Sequence, residues 1–468
     1  MTDSGVTIFW HRRDLRIADN RGLVTAATEG SVLPVYVVDP RLLATAGEAR
    51  KAFFVASLAS LQQAYRSLGT DLLVKTGTPE SVLPEIAATR DATEVYWNED
   101  YTGFAQDRDD AVEGALDSSI AVTRFADSTV YEPGSILTNA GDYYSVFSYY
   151  FKKWDKRENP AVEPDPDESA FIDHTASDVI EITSAPTDSV PLDPGRAAAV
   201  ARLEEFIDGP IFEYATKRDD PAAAATSRLS QDLSFGLLGP REVLAAIESA
   251  EDEATTEEAT ESVTEFRRQI AWRDFYMQVL AAHPETVTEN FKSYENPIEW
   301  RDAPANLEAW KAGETGYPIV DAGMRQLQAE AYMHNRLRMI VASFLTKDLQ
   351  IDWRKGYRHF RTELVDHDTA NDVGGWQWAA STGTDSQPYF RIFNPMTQGE
   401  RHDPEAEYIK RYVPELRSVD PSKIHSWHEL DSEQRVELAP EYPAPIVDHS
   451  ERRESAIEMF ERARGDEE

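Results

Sequence analysis

The chain of 468 residues contains no cysteine, few lysines and no long uninterrupted apolar stretch. Without cysteine it has no disulfide, no thiolate nucleophile and no cysteine-ligated metal site, and it fits a reducing compartment. The apolar stretches are too short to span a bilayer, and no charged-then-apolar leader precedes the first candidate strand at Val6. We therefore expect a cytoplasmic protein that does not enter a membrane, and we predict no metal cofactor.

Positive charge is also scarce. Lysine and arginine together number 47 against 84 acidic residues, giving a net charge of −37, and only 12 of the basic residues are lysine. Such a surface repels nucleic acid at low ionic strength, so DNA binding requires a local basic patch. A large carboxylate excess with few lysines favours a protein that stays dissolved in concentrated salt, where the Debye length is about 3 Å at 1 M. We therefore hypothesise a halophilic source.

The first 130 residues alternate short apolar runs with amphipathic segments. The candidate strands are residues 6–10, 32–39, 71–77, 94–97 and 120–125, and the helical segments between them are 20–28, 48–68, 78–90 and 104–116. This alternation predicts an α/β domain with a doubly wound parallel sheet at 1–130.

The remaining chain follows a different pattern. Residues 131–195 break the alternation and predict a long linker, rich in Pro, Asp and Ser from Pro160 to Pro194. In residues 196–468 strand signals nearly vanish and helical periodicity dominates. The predicted fold class is therefore α/β plus all-α, with the second domain mostly helical.

Polar and aromatic side chains are densest between Tyr332 and Asp385. Asn335, Arg338 and Met339 fall at i, i+3 and i+4, so on a helix they share one face. Three aspartates follow in a short, Gly-terminated stretch: Asp366, Asp368 and Asp372. Carboxylates beside arginine forks suit a buried polar heterocycle, although the aspartates alone are equally typical of a solvated acidic loop.

A second basic motif, WHRRDLR at residues 10–16, follows the first candidate strand. No glycine-rich dinucleotide fingerprint is present there. The motif is expected at the carboxyl end of the sheet, where open α/β folds bind ligands.

Several segments, read in order, resemble the photolyase and cryptochrome family, and most closely its class I cyclobutane pyrimidine dimer photolyases. They are WHRRDLRIADN (10–20), TSRLSQDLSFG (226–236), WRDFY (272–276), TGYPIVDAGMRQL (315–327), YMHNRLRMIVASFLTKDLQIDWR (332–354), GGWQWAASTGTD (374–385) and YFRIFNP (389–395). The resemblance spans essentially the whole chain. It implies an N-terminal antenna domain and a C-terminal helical domain that binds FAD and DNA.

The resemblance also implies roles for individual residues. Those expected at FAD are Tyr214, Thr226, Ser227, Arg228, Leu229, Ser230, Arg273, Asn335, Arg338, Asp366 and Asp368. Those expected at the flipped-out lesion or the DNA are Arg218, Gln269, Trp272, Arg336, Met339 and Trp378, with a basic rim that also includes Lys347, Arg354, Lys355, Arg358 and Arg361. Trp376, Trp353 and Trp300 match the family's electron-transfer chain from flavin to surface.

A second, light-harvesting chromophore is implied in the N-terminal domain. The expected residues are Arg12, Arg16, Asp39, Arg50, Asp100 and Arg108. The segment WNEDYTGFAQDRD is closer to the type that binds 8-hydroxy-5-deazaflavin than to the type that binds methenyltetrahydrofolate. The implied activity is light-driven repair of UV-damaged DNA by a monomer, in which reduced FAD gives an electron to the pyrimidine dimer.

Two departures from the family pattern keep other functions open. Gln269 stands where dimer photolyases carry a glutamate and where (6-4) photolyases carry glutamine, although His334-Asn335 replaces the histidine pair of that class. Asp372 stands where photolyases usually have asparagine and plant cryptochromes have aspartate. A cryptochrome-type blue-light sensor and a (6-4) photolyase are therefore the alternatives to dimer repair.

Overall fold

The computed structural model describes residues 5–172 and 192–465. The part of the predicted linker from 173 to 191 lies outside these residues. Contacts divide the chain into two compact units. The first unit comprises Met1–Ala215, Ser227–Glu285 and Val365–Ala370, and the second comprises Thr216–Thr226, Thr286–Leu364 and Asn371–Glu468.

The first unit contains a five-stranded parallel sheet with strand order β3-β2-β1-β4-β5. The strands are β1 (Val6–His11), β2 (Ser31–Val38), β3 (Leu73–Thr76), β4 (Ala92–Asn98) and β5 (Ala121–Phe125). The predicted strands are confirmed to within two residues at each end. Because the strand order reverses at β1, the carboxyl ends of β1 and β4 border the switch point at which such sheets bind ligands.

Helices alternate with these strands as predicted. They are α1 (Arg21–Glu29), α2 (Pro40–Leu43), α3 (Glu48–Ser67), α4 (Pro79–Thr89) and α5 (Gly103–Ala115). The strands bury a core that includes Ile8, Leu33, Val35 and Val95. Near-continuous apolar runs such as SVLPVYVV are required here, because a strand at the centre of a parallel sheet is covered on both faces.

The segment predicted as a linker contains regular structure in its described part. Helix α6 (Phe147–Trp154) is followed by a 3₁₀ turn at Glu168–Ala170 and an isolated bridge between Val32 and Phe171. The helices α7 (Arg196–Ile207), α8 (Tyr214–Lys217), α9 (Ser230–Ser234), α10 (Pro240–Glu253) and α11 (Glu257–Ala282) come next.

The second unit is helical, and no strand occurs within residues 192–465. Its helices are α12 (Pro304–Ala312), α13 (Pro318–Glu330), α14 (Asn335–Ser343), α15 (Trp353–Glu363), α16 (Thr369–Ala379, whose first two residues belong to the first unit), α17 (Pro395–His402), α18 (Glu407–Tyr412), α19 (Pro421–His425), α20 (Ser432–Leu438) and α21 (His449–Arg464). They enclose a core containing Trp310, Tyr317, Trp353, Trp376 and Trp427. The predicted helical character of this region is confirmed.

Helix α14 runs directly into one π-helical turn, Phe344–Asp348. The extra residue in such a turn changes which side chains face the core, and π turns are often found at functional sites. None of the helices among the described residues is long and apolar enough to cross a bilayer.

Candidate functional site

The loop after β1 carries an arginine that is shared between two carboxylates. Arg13 Nη2 lies 2.5 Å from Asp368 Oδ2, and Arg13 Nη1 lies 3.5 Å from Asp100 Oδ1. Arg13 Nε also donates to the Ser234 carbonyl at 3.1 Å. Burial acts to lower the pKa of Arg13, but the two carboxylates raise it above its ordinary value. This loop therefore fixes Asp368, one of the residues expected at FAD, to the sheet of the first unit.

Arg13 was not among the individual residues predicted for either chromophore. The signal that could have identified it was the basic WHRRDLR motif itself, from which only Arg12 and Arg16 were assigned roles. The pairing with Asp368 could not be inferred, because 355 positions separate the two residues.

Helix α11 supplies a half-buried cation, Arg273, to the first unit. Arg273 donates to the carbonyls of Ser128 and, at 3.3 Å, Leu233. Burial lowers its pKa, and Asp368 and Asp274 oppose that shift through their charges. A partly buried guanidinium whose hydrogen bonds go to neutral carbonyls favours an anionic ligand nearby.

The predicted TSRLS motif lies immediately before α9, as expected for a pyrophosphate-binding segment. Arg228 has a left-handed backbone, with φ of 52°, just before the helix begins at Ser230. The helix is only five residues long, so its dipole is weak. Tyr214 is buried edge-on against Phe206 and Phe266.

In the second unit, α14 confirms that Asn335, Arg338 and Met339 lie on one helix face. Asn335 Nδ2 lies 3.9 Å from Met339 Sδ, the spacing expected at i and i+4. Arg338 Nε donates to the Met333 carbonyl at 2.8 Å, and Arg338 Nη1 lies 3.7 Å from Asp372 Oδ1. Asp372 is buried in the first turn of α16, where the helix dipole favours a negative charge.

The residues expected at FAD fall in both units. Those in the first unit are Tyr214, Ser227, Arg228, Leu229, Ser230, Arg273, Asp366 and Asp368, and those in the second are Thr226, Asn335 and Arg338.

The two tryptophans expected to flank a lesion each pack on an aromatic neighbour. Trp272, on α11, is half-buried and stacks on Phe147, with ring centroids 3.7 Å apart and planes 10° apart. Trp378, at the end of α16, is half-buried and is tilted against Phe393. Each indole is thus held in place while part of its surface remains exposed, which suits stacking on a base.

Gln269 has a carboxylate within reach one helical turn earlier. Its Nε2 donates to Glu265 Oε1 at 3.1 Å and to the Glu265 carbonyl at 3.2 Å. The sequence showed that Gln269 stands where the family has a glutamate, but it did not predict the contact with Glu265. The spacing of four residues was the available signal.

Of the three tryptophans expected to conduct electrons, only Trp300 is partly exposed. Trp376 and Trp353 are buried, whereas Trp300 is half-buried. Trp376 packs against α15 at Gly356, where an added Cβ would lie 2.1 Å from the indole Cη2. Because Gly356 lies one turn from Trp353 on α15, this close approach brings Trp376 of α16 near the turn of α15 that carries Trp353.

Three of the residues predicted for a basic DNA-binding rim form ion pairs with aspartates. Arg336 donates two hydrogen bonds to the Asp219 carboxylate, at 2.6 and 3.2 Å. Arg354 pairs with Asp352, and Lys355 pairs with Asp302. These pairs follow from the excess of carboxylates, which was the alternative interpretation of the basic residues.

Lys347 does not belong to any rim, and its predicted DNA contact is wrong. Its side chain is buried, with 1% of the residue exposed, and it donates to Ser381 Oγ. The π turn directs it inward, which a regular helical pattern did not predict.

The residues predicted for an antenna pocket separate into two groups in the first unit. Arg12 and Arg108 both lie over the Trp10 ring, at 5.0 and 4.9 Å, and both contact Asp109. Arg16 instead lies in a buried network with Asp127 and Asp19 and is 2% exposed. This burial among carboxylates leaves no face for a chromophore, so the role predicted for Arg16 is corrected to a structural one.

The other three antenna candidates lie near loops of the same sheet. Asp39 caps α2 and pairs with Arg41 at 2.7 Å, and these hydrogen bonds lower its pKa although burial acts to raise it. Arg50 donates to the Thr45 carbonyl at 3.0 Å. Asp100 is the second partner of Arg13.

Comparison with known proteins relates this geometry to one family. Residues 7–168 match the family model described as DNA photolyase, and residues 266–462 match the model described as the FAD binding domain of DNA photolyase. The chain is 56% identical to "Deoxyribodipyrimidine photo-lyase" of Halobacterium salinarum, a halophile, over 98% of this chain and 100% of the relative.

Two solved photolyase structures are similar to this chain over nearly its whole length. A bacterial class III photolyase from Agrobacterium tumefaciens superposes with a TM-score of 0.89 at 34% identity, covering 99% of both chains. An archaeal photolyase from Sulfolobus tokodaii, solved with two FAD molecules, superposes with a TM-score of 0.86 at 33% identity, covering 98% of this chain and all of the other. The arrangement of arginines, aspartates and tryptophans described above thus sits on a shared scaffold, and the chain belongs to the DNA photolyase family, with its FAD-binding domain.

Proposed function

We propose that this chain uses light to split cyclobutane pyrimidine dimers in DNA, by electron transfer from reduced FAD to a flipped-out lesion. The observation that carries the proposal is the 56% identity to a deoxyribodipyrimidine photo-lyase over the whole chain. The half-buried Trp272 and Trp378 support it, because a base taken out of the duplex needs aromatic surfaces to replace its lost stacking.

The described residues fit a flavin dinucleotide. Arg273 offers a half-buried positive charge on which Asp368 acts electrostatically, and Trp376 Nε1 is buried with no hydrogen-bond partner among the described residues. Bound FAD, when reduced, supplies the electron donor that light excites. In each unit an arginine lies beside an acidic partner, Arg13 with Asp368 and Arg338 with Asp372, so the residues expected at the cofactor are held in place before it binds.

The chain's own residues have positioning and electrostatic tasks in this proposal. Arg273 and Arg338 stabilise negative charge on the cofactor, while Asn335 and Met339 present one amide and one soft apolar contact from the same face of α14. Gln269 binds the lesion as a neutral donor and acceptor. Arg218 and Arg336 bind the phosphates on either side, and Arg336 must exchange Asp219 for phosphate when DNA arrives.

Trp376, Trp353 and Trp300 carry electrons from the surface inward when the cofactor must be re-reduced. The partial exposure of Trp300 supports its place at the outer end, since the outermost member has to meet an external reductant. Asp372 brings a carboxyl group to the first turn of α16, and a carboxyl group can exchange a proton with a bound cofactor whereas asparagine cannot.

A second chromophore, 8-hydroxy-5-deazaflavin, binds the first unit beside Arg12 and Arg108. Arg12 Nε is buried there without a hydrogen-bond partner among the described residues. Methenyltetrahydrofolate is the alternative ligand. Extraction of the purified protein and mass spectrometry of the released chromophore separate the two, and an extract that contains only FAD rules out both.

The decisive experiment illuminates the reduced protein with DNA that contains cyclobutane dimers, in concentrated salt. Restored thymines, measured by chromatography of the digested DNA, support dimer repair. The same assay with (6-4) lesions tests the alternative that Gln269 favours. Photoreduction without repair of either lesion would indicate a blue-light sensor, the alternative that Asp372 favours.

A further inference from the structure

Lys347 is a buried cation that the proposed repair reaction does not use. Its Nζ lies 2.8 Å from Ser381 Oγ and 3.8 Å from the centre of the Phe460 ring, and it forms no ion pair with any described residue. An ammonium group has three donors, and here one hydroxyl is its sole hydrogen-bond acceptor among the described residues. Burial lowers the pKa of Lys347 well below its usual value, and the charge of Lys292 adds to that effect.

Ser381 connects this lysine to a surface pocket in the second unit. The pocket has a volume of about 380 Å³. Its lining comprises Lys292, Ser293, Tyr294, Glu295, Ser381, Gln387, Tyr389 and Arg464. Lys292 Nζ donates to Ser386 Oγ at 2.6 Å and, like Lys347, forms no ion pair among the described residues. In a chain of net charge −37, Lys292 thus lines this pocket and Lys347 lies behind Ser381, and neither forms an ion pair with a described residue.

The backbone around Ser381 is held in an unfavourable conformation. Ser381 has a φ of 65°, in the left-handed region that non-glycine residues seldom occupy. Tyr294 Oη donates to the Ser381 carbonyl at 2.9 Å, and the Lys292 amide donates to the Thr382 carbonyl at 2.8 Å. These bonds hold the Ser381 hydroxyl between the buried lysine and the pocket.

We propose that this pocket binds one small inorganic anion, a halide or a single oxyanion, between Lys292 Nζ and Ser381 Oγ, with Lys347 behind the serine. The anion supplies negative charge at two lysines that form no ion pair with a described residue, in addition to the charge of Asp385 that acts on Lys292. Glu295 on the pocket wall and Asp385, whose charge also acts on Lys292, repel a larger polyanion and so restrict the ligand to a small one.

The test titrates bromide against gluconate at fixed sodium concentration and follows the thermal unfolding of the full chain. The wild type should show a saturable rise in its unfolding midpoint, because an ion that binds the folded state stabilises it. Lys292→Gln should raise the half-saturating bromide concentration about tenfold, which corresponds to about 1.4 kcal/mol. Lys347→Met should abolish the response. The matched control is Lys311→Gln, since Lys311 already pairs with Glu308 on the surface.

Two further arms complete the test. Crystals grown in bromide should show an anomalous scattering peak within hydrogen-bonding distance of Lys292 Nζ or Ser381 Oγ. A phosphate titration distinguishes an oxyanion from a halide, and saturation by either supports the site. The proposal is overturned if wild type and Lys292→Gln respond equally, or if the pocket holds no peak and neither titration saturates. Should Lys347→Met not fold, the Lys292→Gln comparison decides alone.

Discussion

Among single residues, Arg13 has the most direct consequence for the cofactor. It lies between Asp100 and Asp368, and the stronger of its two contacts is to the carboxylate expected at FAD. A guanidinium that holds a ligand-binding carboxylate reduces the ordering that the ligand must impose on binding.

We predict that Arg13→Gln raises the dissociation constant of FAD for the apoprotein about tenfold, since charge-assisted hydrogen bonds contribute about 1.5–3 kcal/mol. Fluorescence titration of free FAD measures it. Arg41→Gln is the control, because Arg41 pairs with Asp39 and Glu80 and not with Asp368. A lower melting temperature with unchanged FAD affinity would show that Arg13 has a structural role only.

A second prediction for single residues concerns Gln269 and its neighbour Glu265. Replacing Gln269 by glutamate would place two carboxylates within hydrogen-bonding distance, and like charges raise the pKa of one of them above about 4.3. The quantum yield of dimer repair by Gln269→Glu should therefore depend on pH, while that of the wild type should not. In the double variant with Glu265→Gln the dependence should return to the range of an isolated glutamate. A flat profile in both variants would contradict the argument.

Asp274 links folding to pH. It is buried under α6, accepts hydrogen bonds from the amides of Val130 and Tyr131 and from the Trp154 indole, and burial raises its pKa to about 6. Since the folded pKa lies above the unfolded value, its contribution to stability is fully present below about pH 3.9 and is lost as pH rises through about 6.

The free energy of unfolding of the wild type, relative to that of Asp274→Asn, should therefore fall between about pH 4 and 6, by about 3 kcal/mol. Denaturant titrations at several pH values in constant salt measure this difference. Asp167→Asn is the control, because hydrogen bonds from Ser169 lower the pKa of Asp167 and any slope must have the opposite sign. A constant difference would mean that Asp274 keeps an ordinary pKa.

At the scale of elements, the packing of α15 against α16 sets the positions of the tryptophans. Gly356 removes a side chain from α15 where Trp376 of α16 approaches, and an added Cβ would also lie 2.6 Å from Leu345 Cδ2. A core that is filled to this density responds to one methyl group.

We predict that Gly356→Ala displaces Trp376, destabilises the fold by about 1–3 kcal/mol and slows photoreduction of the flavin. Gly375→Ala is the matched control on α16, because nothing lies within 4 Å of an added Cβ there. That variant should be stabilised by up to about 1 kcal/mol through its higher helix propensity. Transient absorption and thermal unfolding report the two effects, and equal photoreduction rates in both variants would refute the positioning role of Gly356.

At the scale of the whole molecule, the large net negative charge determines how stability depends on salt. A net charge of −37 repels itself in the compact state, and salt at 1 M shortens the range of that repulsion to about 3 Å. We predict that dilution to low ionic strength unfolds the chain, as measured by circular dichroism across a series of KCl concentrations. Equal stability in dilute buffer and in brine would reject the salt-adapted interpretation.

Sequence alone determined the layers of the fold and the family. The strand and helix bounds of the sheet followed from local periodicity, and segments such as TSRLS and GGWQWAASTGTD were specific enough to indicate the family. The shared face of Asn335, Arg338 and Met339 also followed, because it depends only on helical geometry. The distribution of 84 acidic residues already indicated a protein suited to concentrated salt.

Tertiary structure alone decided which charges meet and which are buried. The pairing of Arg13 with Asp368, the burial of Arg16, and the inward direction of Lys347 depend on contacts between distant positions or on one π turn. An arginine or lysine looks the same in sequence whether it faces solvent, a carboxylate or a ligand. Its environment is set only when the chain has packed, because burial and neighbouring charges act through space and not along the sequence.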